Sequence, residues 1–138
     1  MRDLSQLGTY AKVSTPQYRI LRSLTPGPYT WILPATDEVP RRLQHRKRRQ
    51  VGLRVPDHRI AQAVLEEVAE PIFSTSLILP GDAEALADPV EIRRRLQTQV
   101  DGVIDGGWGG TLPTTMVDLT GDEPVVLRAG LGDPSPFT

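Results

Sequence analysis

The chain of 138 residues has 16 basic and 17 acidic side chains, and it has no cysteine. This length suffices for one domain and not comfortably for two. Without cysteine, disulfides, thiolate chemistry and sulfur-based zinc sites are excluded. The near-neutral net charge argues against a protein that coats nucleic acid over its whole surface. No apolar run approaches the ~18 residues of a membrane span and no export signal is visible, so we expect a cytoplasmic protein without membrane contact.

The first half of the chain alternates between helix and strand signals. Thr15-Pro16 is typical of a helix start, and the PGP turn at 26–28 separates that helix from a strand over 29–33. A single helical turn is predicted over 39–43 and a second strand over 51–55. Apolar residues then recur at helical spacing, and Asp57 is the predicted cap of this helix.

The second half continues with shorter elements. Strands are predicted over 72–76 and 103–105, and a helix begins at Asp88-Pro89. Two further strands, over 116–119 and 125–128, are joined by a turn. The order of elements predicts an α/β fold with a mixed sheet. The first dozen residues do not open with a clear unit, so we expect the chain to begin part-way through a larger domain.

Two arginines and two groups of hydroxyl residues are the candidates for chemistry. Arg54 lies in the strand predicted over 51–55, where its planar fork would suit a carboxylate or a phosphate; the alternatives are exposure to solvent on an edge strand or a pair with Asp57. Ser74 and Ser76 end a predicted strand, where ligands of open α/β sheets bind, although ordinary turn chemistry explains them equally well. Thr114 begins one strand and Arg128 ends another, and a solvated strand terminus is the alternative for Arg128.

A dense basic cluster precedes the second strand. It contains six Arg or Lys residues and also His45 within nine positions. The six are Arg41, Arg42, Arg46, Lys47, Arg48 and Arg49. As a solvated loop the cluster needs no function, whereas as a nucleic-acid contact it would bind phosphates with steep salt dependence. Few aromatic side chains lie near it, so recognition of an RNA backbone by shape fits better than recognition of single bases. His45 and His58 are too poorly accompanied to predict a metal site or a catalytic triad.

Five ordered blocks resemble the YrdC/YciO family of threonylcarbamoyl-adenylate synthases. They are TPGPYT at 25–30, GLRVP at 52–56, STS at 74–76, PTTMVD at 113–118 and LRAG at 127–130. The continuation SLILPG at 76–81 resembles the YciO branch, because the better-known synthases have Ala-Asn after the second serine. The resemblance implies a twisted open mixed sheet with flanking helices around a positively lined concave cavity.

The resemblance also implies a reaction and its partners. Family members join L-threonine, bicarbonate and ATP, with Mg²⁺ accompanying the nucleotide, into threonylcarbamoyl-AMP for the modification of tRNA. They are also described as binding double-stranded RNA. By resemblance Arg54, Ser74, Ser76 and Thr114 would bind substrate, and Ser76 and Arg128 the nucleotide. Such a site needs positioning and charge stabilisation rather than a nucleophile, and no catalytic residue is predicted.

The chain also departs from the family pattern. It has no Lys-Arg-Pro element of the kind that grips the triphosphate and no Asn after Ser76. We therefore expect residues 1–138 to form a single domain that corresponds to the C-terminal two thirds of a YrdC-like domain without its first strands. Open sheet edges would then favour a homo-oligomer. Three functions stay open: a synthase or its remnant, a non-catalytic module for tRNA or double-stranded RNA, and a ligand-binding or self-assembling protein.

Overall fold

A computed structural model describes residues 1–45 and 47–138. The chain divides into two compact units. The first comprises Met1–Ile72 and Thr114–Thr138, and the second comprises Phe73–Pro113. The expectation of a single domain over residues 1–138 stays a prediction.

A four-stranded mixed sheet forms the centre of the first unit. Its strands are β1 (Tyr29–Pro34), β2 (Gln50–Leu53), β3 (Thr115–Asp118) and β4 (Val125–Arg128). The spatial order is β2-β1-β3-β4, in which β1 is antiparallel to β2 and parallel to β3, and β3 is antiparallel to β4. The α/β class with an open mixed sheet is thus confirmed, and the four strands lie within two residues of their predicted bounds.

Helices accompany the sheet, and three of the four begin at a recognisable side-chain cap. They are α1 (Leu7–Tyr10), α2 (Thr15–Leu24), α3 (Arg59–Val68) and, in the second unit, α4 (Pro89–Leu96). Ser14 and Gln17 form a reciprocal capping box on α2, and Asp88 caps α4. The predicted Asp57 cap was wrong: the ring of His58 accepts a hydrogen bond from the Ala61 amide at 3.3 Å. A 3₁₀ turn at Arg41–Leu43 confirms the single helical turn expected there.

One face of the sheet carries the core. Tyr29, Trp31 and Leu33 alternate along β1 and are each at most 5 % exposed. They pack with Val117 of β3 and with Leu21 of α2 in one hydrophobic cluster. The rings of Tyr29 and Trp31 stack with their centroids 4.9 Å apart. The intervening residues Thr30 and Ile32 therefore lie on the opposite face of the sheet.

The chain after β4 wraps back over the core residues of β1 and β3. The Tyr29 hydroxyl donates to the Asp133 carbonyl at 3.0 Å, and the Gly130 amide donates to the Thr115 hydroxyl at 2.9 Å. Gly132 lies so close to the Tyr29 ring that a Cβ atom would be 2.6 Å from it. A glycine is required here because the backbone passes directly over the ring.

The second unit has one helix and is otherwise irregular. In residues 73–113, all of which the structure describes, α4 is the sole helix or strand. The Arg95 guanidinium pairs with the Asp82 carboxylate at 3.1 Å and ties the loop before α4 to the helix. The strands predicted over 72–76 and 103–105 were wrong. No neighbouring strand pairs with these segments, and a strand without a partner leaves its backbone groups unsatisfied.

Candidate functional site

Two arginines meet at a pair of threonine hydroxyls on the first unit. The Arg54 Nε donates to Thr30 Oγ1 at 2.8 Å, and Thr30 Oγ1 lies 2.6 Å from Thr114 Oγ1. Arg128 donates to the Thr114 carbonyl at 3.0 Å and to its hydroxyl at 3.1 Å. We call these four residues the threonine–arginine hub. Three of its members, Arg54, Thr114 and Arg128, are predicted site residues from separate parts of the sequence that the fold brings together.

The sheet register brings the members of the hub together. Thr30 pairs with Met116 across the parallel strands β1 and β3, and Met116 pairs with Arg128 across β3 and β4. Paired residues of neighbouring strands point to the same face of a sheet. The Thr30 side chain and the Arg128 side chain therefore emerge on the face opposite the core.

The turn at 26–28 fixes the backbone on both sides of the hub. The Gly27 amide donates to the Val55 carbonyl at 3.0 Å, and the Thr115 amide donates to the Pro28 carbonyl at 3.0 Å. A Cβ atom on Gly27 would lie 2.6 Å from the Leu24 carbonyl oxygen, so this turn requires glycine. The sequence block TPGPYT thus holds the residues adjacent to Arg54 and Thr114 in place.

Within residues 1–45 and 47–138, no carboxylate pairs with the arginines of the hub. The three ion pairs among the described residues involve neither Arg54 nor Arg128, so the alternative of an Arg54–Asp57 pair was wrong. Burial lowers the pKa of the Arg54 guanidinium from its ordinary value, and repulsion by the nearby Arg128 charge adds to this shift. No carboxylate pairs with either guanidinium among the described residues, so the hub is a centre of positive charge.

The two threonine hydroxyls share one hydrogen bond, in which either oxygen could be the donor. Thr30 is 5 % exposed and accepts a bond from Arg54, and the half-buried Thr114 accepts one from Arg128. Arg54 uses its Nε in these bonds, and Arg128 uses its Nε and one terminal nitrogen. The hub therefore offers the remaining N–H groups of two guanidiniums, and this donor-rich arrangement suits an anion.

The remaining predicted site residues lie elsewhere in the chain. Ser74 and Ser76 belong to the second unit, where both are exposed in an irregular segment. The Ser76 carbonyl accepts from the Ile78 amide at 3.0 Å, which is ordinary turn bonding. Their predicted roles as ligands of substrate and nucleotide stay predictions.

The basic cluster occupies an exposed turn between β1 and β2. Arg41, Arg42, Lys47, Arg48 and Arg49 are all exposed, and Arg46 lies outside the described residues. None of these five forms an ion pair with another described residue. Arg49 has a positive φ of 47°, an uncommon conformation for a non-glycine residue.

Thr30 is the functional candidate that sequence reasoning missed. It lies in the block TPGPYT, but its position within a strand of apolar neighbours gives it no distinguishing signal. The available clue was alternation: a threonine between Tyr29 and Trp31 must face away from the core that the two aromatic residues fill. This clue indicates the face of the sheet, whereas the partner hydroxyl on Thr114 is set by a strand pairing that the sequence does not specify.

The described residues do not provide a metal site of their own. In residues 1–45 and 47–138 no three histidine or carboxylate side chains cluster as a bound metal would need. Arginine has no lone pair to give to Mg²⁺, so the hub does not fit that ion. In the same part of the chain no helix is both long and apolar enough to cross a membrane.

A separate cavity of about 300 Å³ lies within the second unit. It is lined by α4 and the segment after it, and Val90 and Val100 contribute its apolar walls. None of the predicted site residues lines this cavity.

Comparison with known proteins identifies two groups of relatives, one named YciO and the other named threonylcarbamoyl-AMP synthase. The family model Sua5_yciO_yrdC, described as telomere recombination, matches residues 1–130. The curated Escherichia coli (strain K12) protein called "Uncharacterized protein YciO" is 54 % identical over 136 residues, which cover 99 % of this chain and 66 % of the relative. The crystal structure of E. coli YciO superimposes with a TM-score of 0.94 at 53 % identity, covering all of this chain and 67 % of the other.

More distant relatives have a named activity or ligand. A threonylcarbamoyl-AMP synthase of Photobacterium profundum is 31 % identical over 121 residues, which cover 87 % of this chain and 63 % of that protein. The P. abyssi Sua5 crystal structure in complex with L-threonine superimposes with a TM-score of 0.84 at 28 % identity, over 94 % of this chain and 38 % of the other. This chain thus spans about two thirds of the length of the curated relatives that it matches. The family match over residues 1–130 and the fold similarity together show that the chain belongs to the Sua5/YciO/YrdC family.

Proposed function

We propose that this chain takes part in L-threonylcarbamoyladenylate synthesis for tRNA modification, with the threonine–arginine hub as its anion-binding centre. The observation that carries the proposal is the pair of guanidiniums, Arg54 and Arg128, joined through two hydroxyls and free of carboxylate partners among the described residues. A cationic centre of this kind stabilises a bound carboxylate and the charge on a transferring phosphoryl group.

Arg54 and Thr114 are assigned to the carboxylate of L-threonine. The Nε of Arg54 is occupied by Thr30, so the terminal N–H groups of its fork remain for the ligand. The half-buried Thr114 hydroxyl is the second proposed contact. A carboxylate that accepts from a guanidinium and a hydroxyl is bound in a charge-assisted way, which is about twice as strong as neutral hydrogen bonding.

Arg128 is assigned to the nucleotide. Its Nε and one terminal nitrogen hold Thr114, which leaves the other terminal nitrogen for a phosphate oxygen. ATP, bicarbonate and a tRNA acceptor are the remaining partners, with Ser74 and Ser76 as further hydroxyl ligands. Mg²⁺ would arrive bound to the triphosphate oxygens. The proposed compartment is the cytoplasm.

A binding experiment tests the carboxylate assignment. L-threonine and L-threoninamide are titrated into the protein by calorimetry, because the amide lacks the carboxylate and is otherwise the same ligand. We expect L-threonine to bind at least tenfold more tightly, and Arg54→Gln to abolish that preference. The Arg22→Gln variant is the matched control, since Arg22 is exposed on α2. Equal affinity for the two ligands, or no binding of L-threonine, would contradict the proposal.

A second measurement tests the reaction. The protein is incubated with ATP, L-threonine and bicarbonate, and pyrophosphate release is followed. Release that depends on all three substrates and is lost in Arg128→Gln supports the synthase function, whereas binding of L-threonine without release identifies a binding protein built on the same hub.

RNA binding is the second candidate function. It is favoured by the exposed cations Arg41, Arg42, Lys47, Arg48 and Arg49 on one turn, without ion pairs among the described residues. Such a cluster binds RNA phosphates with an affinity that falls as salt rises. Reversal of Arg48 and Arg49 to Glu should then remove binding to a double-stranded RNA at low salt. The matched control reverses Arg19 and Arg22, which are also exposed and lie on α2. An equal loss of RNA binding in that control would assign the binding to net charge alone.

Self-association is the remaining partner proposal. β4 is an edge strand, and its residues Val125 and Leu127 are each more than half exposed at 54 % and 55 %. An apolar edge of this kind pairs readily with another strand. Size-exclusion chromatography across a range of concentrations measures this, and Leu127→Lys should shift a dimer toward the monomer.

A further inference from the structure

Gly52 lies in β2 directly beside the hub, and neither backbone conformation nor packing explains why it is glycine. It pairs with Ile32 across β1 and β2. Its φ lies outside the left-handed region that favours glycine. A glycine within a strand lowers stability, because it adds backbone entropy to the unfolded chain and offers no side chain to pack.

The space around Gly52 would accept a side chain. A Cβ atom built there would have two neighbours within 4 Å among the described residues, the Cδ1 methyl of Ile32 and the Cγ2 methyl of Thr30, both at 3.4 Å. Both are the ends of side chains, so a methyl group would fit with a shift of a few tenths of an ångström at most. This contrasts with Gly27 and Gly132, where a Cβ would lie 2.6 Å from a backbone oxygen and from an aromatic ring.

Gly52 is also exposed, and the methyl groups beside it belong to the wall of the hub. Thr30 is the residue whose hydroxyl joins Arg54 to Thr114. A side chain at position 52 would therefore stand over the methyl side of Thr30, next to the point at which Arg54 leaves the sheet. Close approach of a ligand is one physical reason for a glycine within a strand, and it is compatible with an exposed position at which no described residue excludes a methyl group.

We infer that Gly52 leaves open a shelf, formed by the methyl groups of Ile32 and Thr30, that receives the side chain of the amino acid whose carboxylate the hub binds. This inference rests on the proposed function and deepens it, because it assigns a residue that sets the size of the ligand. The shelf is apolar and lies beside a carboxylate-binding arginine. It therefore suits a short side chain that carries a methyl group, as in a β-branched amino acid.

The experiment compares two ligands and three variants. L-threonine, which has a side chain, and glycine, which has none, are titrated by ligand-observed NMR into wild type, Gly52→Ala, Gly52→Val and the control Gly8→Ala. Apart from its chain neighbours and the backbone of α1, no described atom lies within 4 Å of a Cβ at position 8. We expect Gly52→Val to lower the affinity for L-threonine at least tenfold and the affinity for glycine less than threefold. The L-threonine affinity of Gly52→Ala should lie between those of wild type and Gly52→Val. We also expect the melting temperature of Gly52→Ala to equal or exceed that of wild type.

Each outcome decides between the two claims. Failure of wild type to bind L-threonine overturns the proposed function and this inference with it. Binding of L-threonine by wild type and by Gly52→Val with equal affinity overturns the shelf alone and leaves the hub intact. Equal losses of affinity for L-threonine and for glycine in Gly52→Val also overturn the shelf, because the substitution would then act on the carboxylate contact that both ligands share.

Discussion

The two faces of the sheet are built from alternate residues of the same strands, yet they have different roles. On one face Tyr29, Trp31 and Leu33 fill a core with almost no exposed surface. On the other face Thr30 gives its hydroxyl to a network of two arginines. The apolar face thus holds the polar face in place. The comparison predicts that substitutions at odd-numbered positions of β1 change stability, and that the substitution of Thr30 changes the proposed ligand binding.

The largest expected effect lies on the core face. Leu33 has no exposed surface, so Leu33→Ala removes buried methyl groups and leaves a cavity. We expect the free energy of unfolding to fall by about 2–5 kcal/mol, measured by urea denaturation. The folded fraction of the variant should still bind L-threonine with wild-type affinity. A lower affinity in the folded fraction would show that the two faces are not separable.

Gly132→Ala tests whether the segment after β4 is part of the core face. The added methyl would meet the Tyr29 ring at 2.6–2.8 Å, so the ring or the segment must move. We expect a loss of about 1–3 kcal/mol in the free energy of unfolding. Gly121→Ala is the control, because the nearest atom to its Cβ is the Glu123 carbonyl oxygen at 3.9 Å. Equal stability of the two variants would show that the ring contact is not fixed in solution.

Thr30→Val sharpens the comparison from the face that carries the hub. Valine keeps the shape of threonine and removes the hydroxyl that holds Arg54 and Thr114. Both partners are half-buried, so water can replace the lost bonds, and we expect the free energy of unfolding to change by less than ~1 kcal/mol. L-threonine affinity should fall about tenfold, which corresponds to ~1.4 kcal/mol. Thr30→Ser keeps the hydroxyl and should bind L-threonine with an affinity close to that of wild type. An equally low affinity in Thr30→Ser would show that packing at position 30, and not the hydroxyl, determines the affinity.

Ala69→Gly is expected to have the smallest effect and lies on neither face. Ala69 ends α3 with a φ of 63°, in the left-handed region where glycine is preferred. We expect the free energy of unfolding to rise by about 0.4–1 kcal/mol without a change in L-threonine affinity. Thermal denaturation measures this, and a loss of stability would show that the αL cap is not kept in solution.

The sequence predicted the strands of the first unit because each is a short run that contains aromatic or β-branched residues, and turn signals precede β1 and separate β3 from β4. It failed for the segments over 72–76 and 103–105, whose composition favours strands. Whether such a segment becomes a strand depends on a neighbour with free backbone groups, and local composition carries no information about that neighbour.

The arginines of the hub were predictable from ordered motifs, whereas the link between them was not. Arg54 and Arg128 stand out as cations in predicted strands, and the structure places Arg54 directly after β2. Thr30 becomes visible as their link only when β1 is paired with β3. Gly52 is the first residue of the block GLRVP at 52–56, and nothing in the sequence distinguishes it from an ordinary strand glycine. Its significance depends on which atoms a Cβ would meet, and this is a property of the register between β1 and β2.

The central claim is that Arg54 and Arg128 act as one unit through the Thr30–Thr114 hydroxyl pair, and a double-mutant cycle tests it most directly. L-threonine affinity is measured by calorimetry for wild type, Arg54→Gln, Arg128→Gln and the double variant. Each arginine supports the other's contacts, so the two substitutions should not act independently. We predict that the double variant loses about as much L-threonine affinity as the single variant with the larger loss. This corresponds to a coupling free energy of about 1 kcal/mol or more. Losses that simply add in free energy would contradict the account.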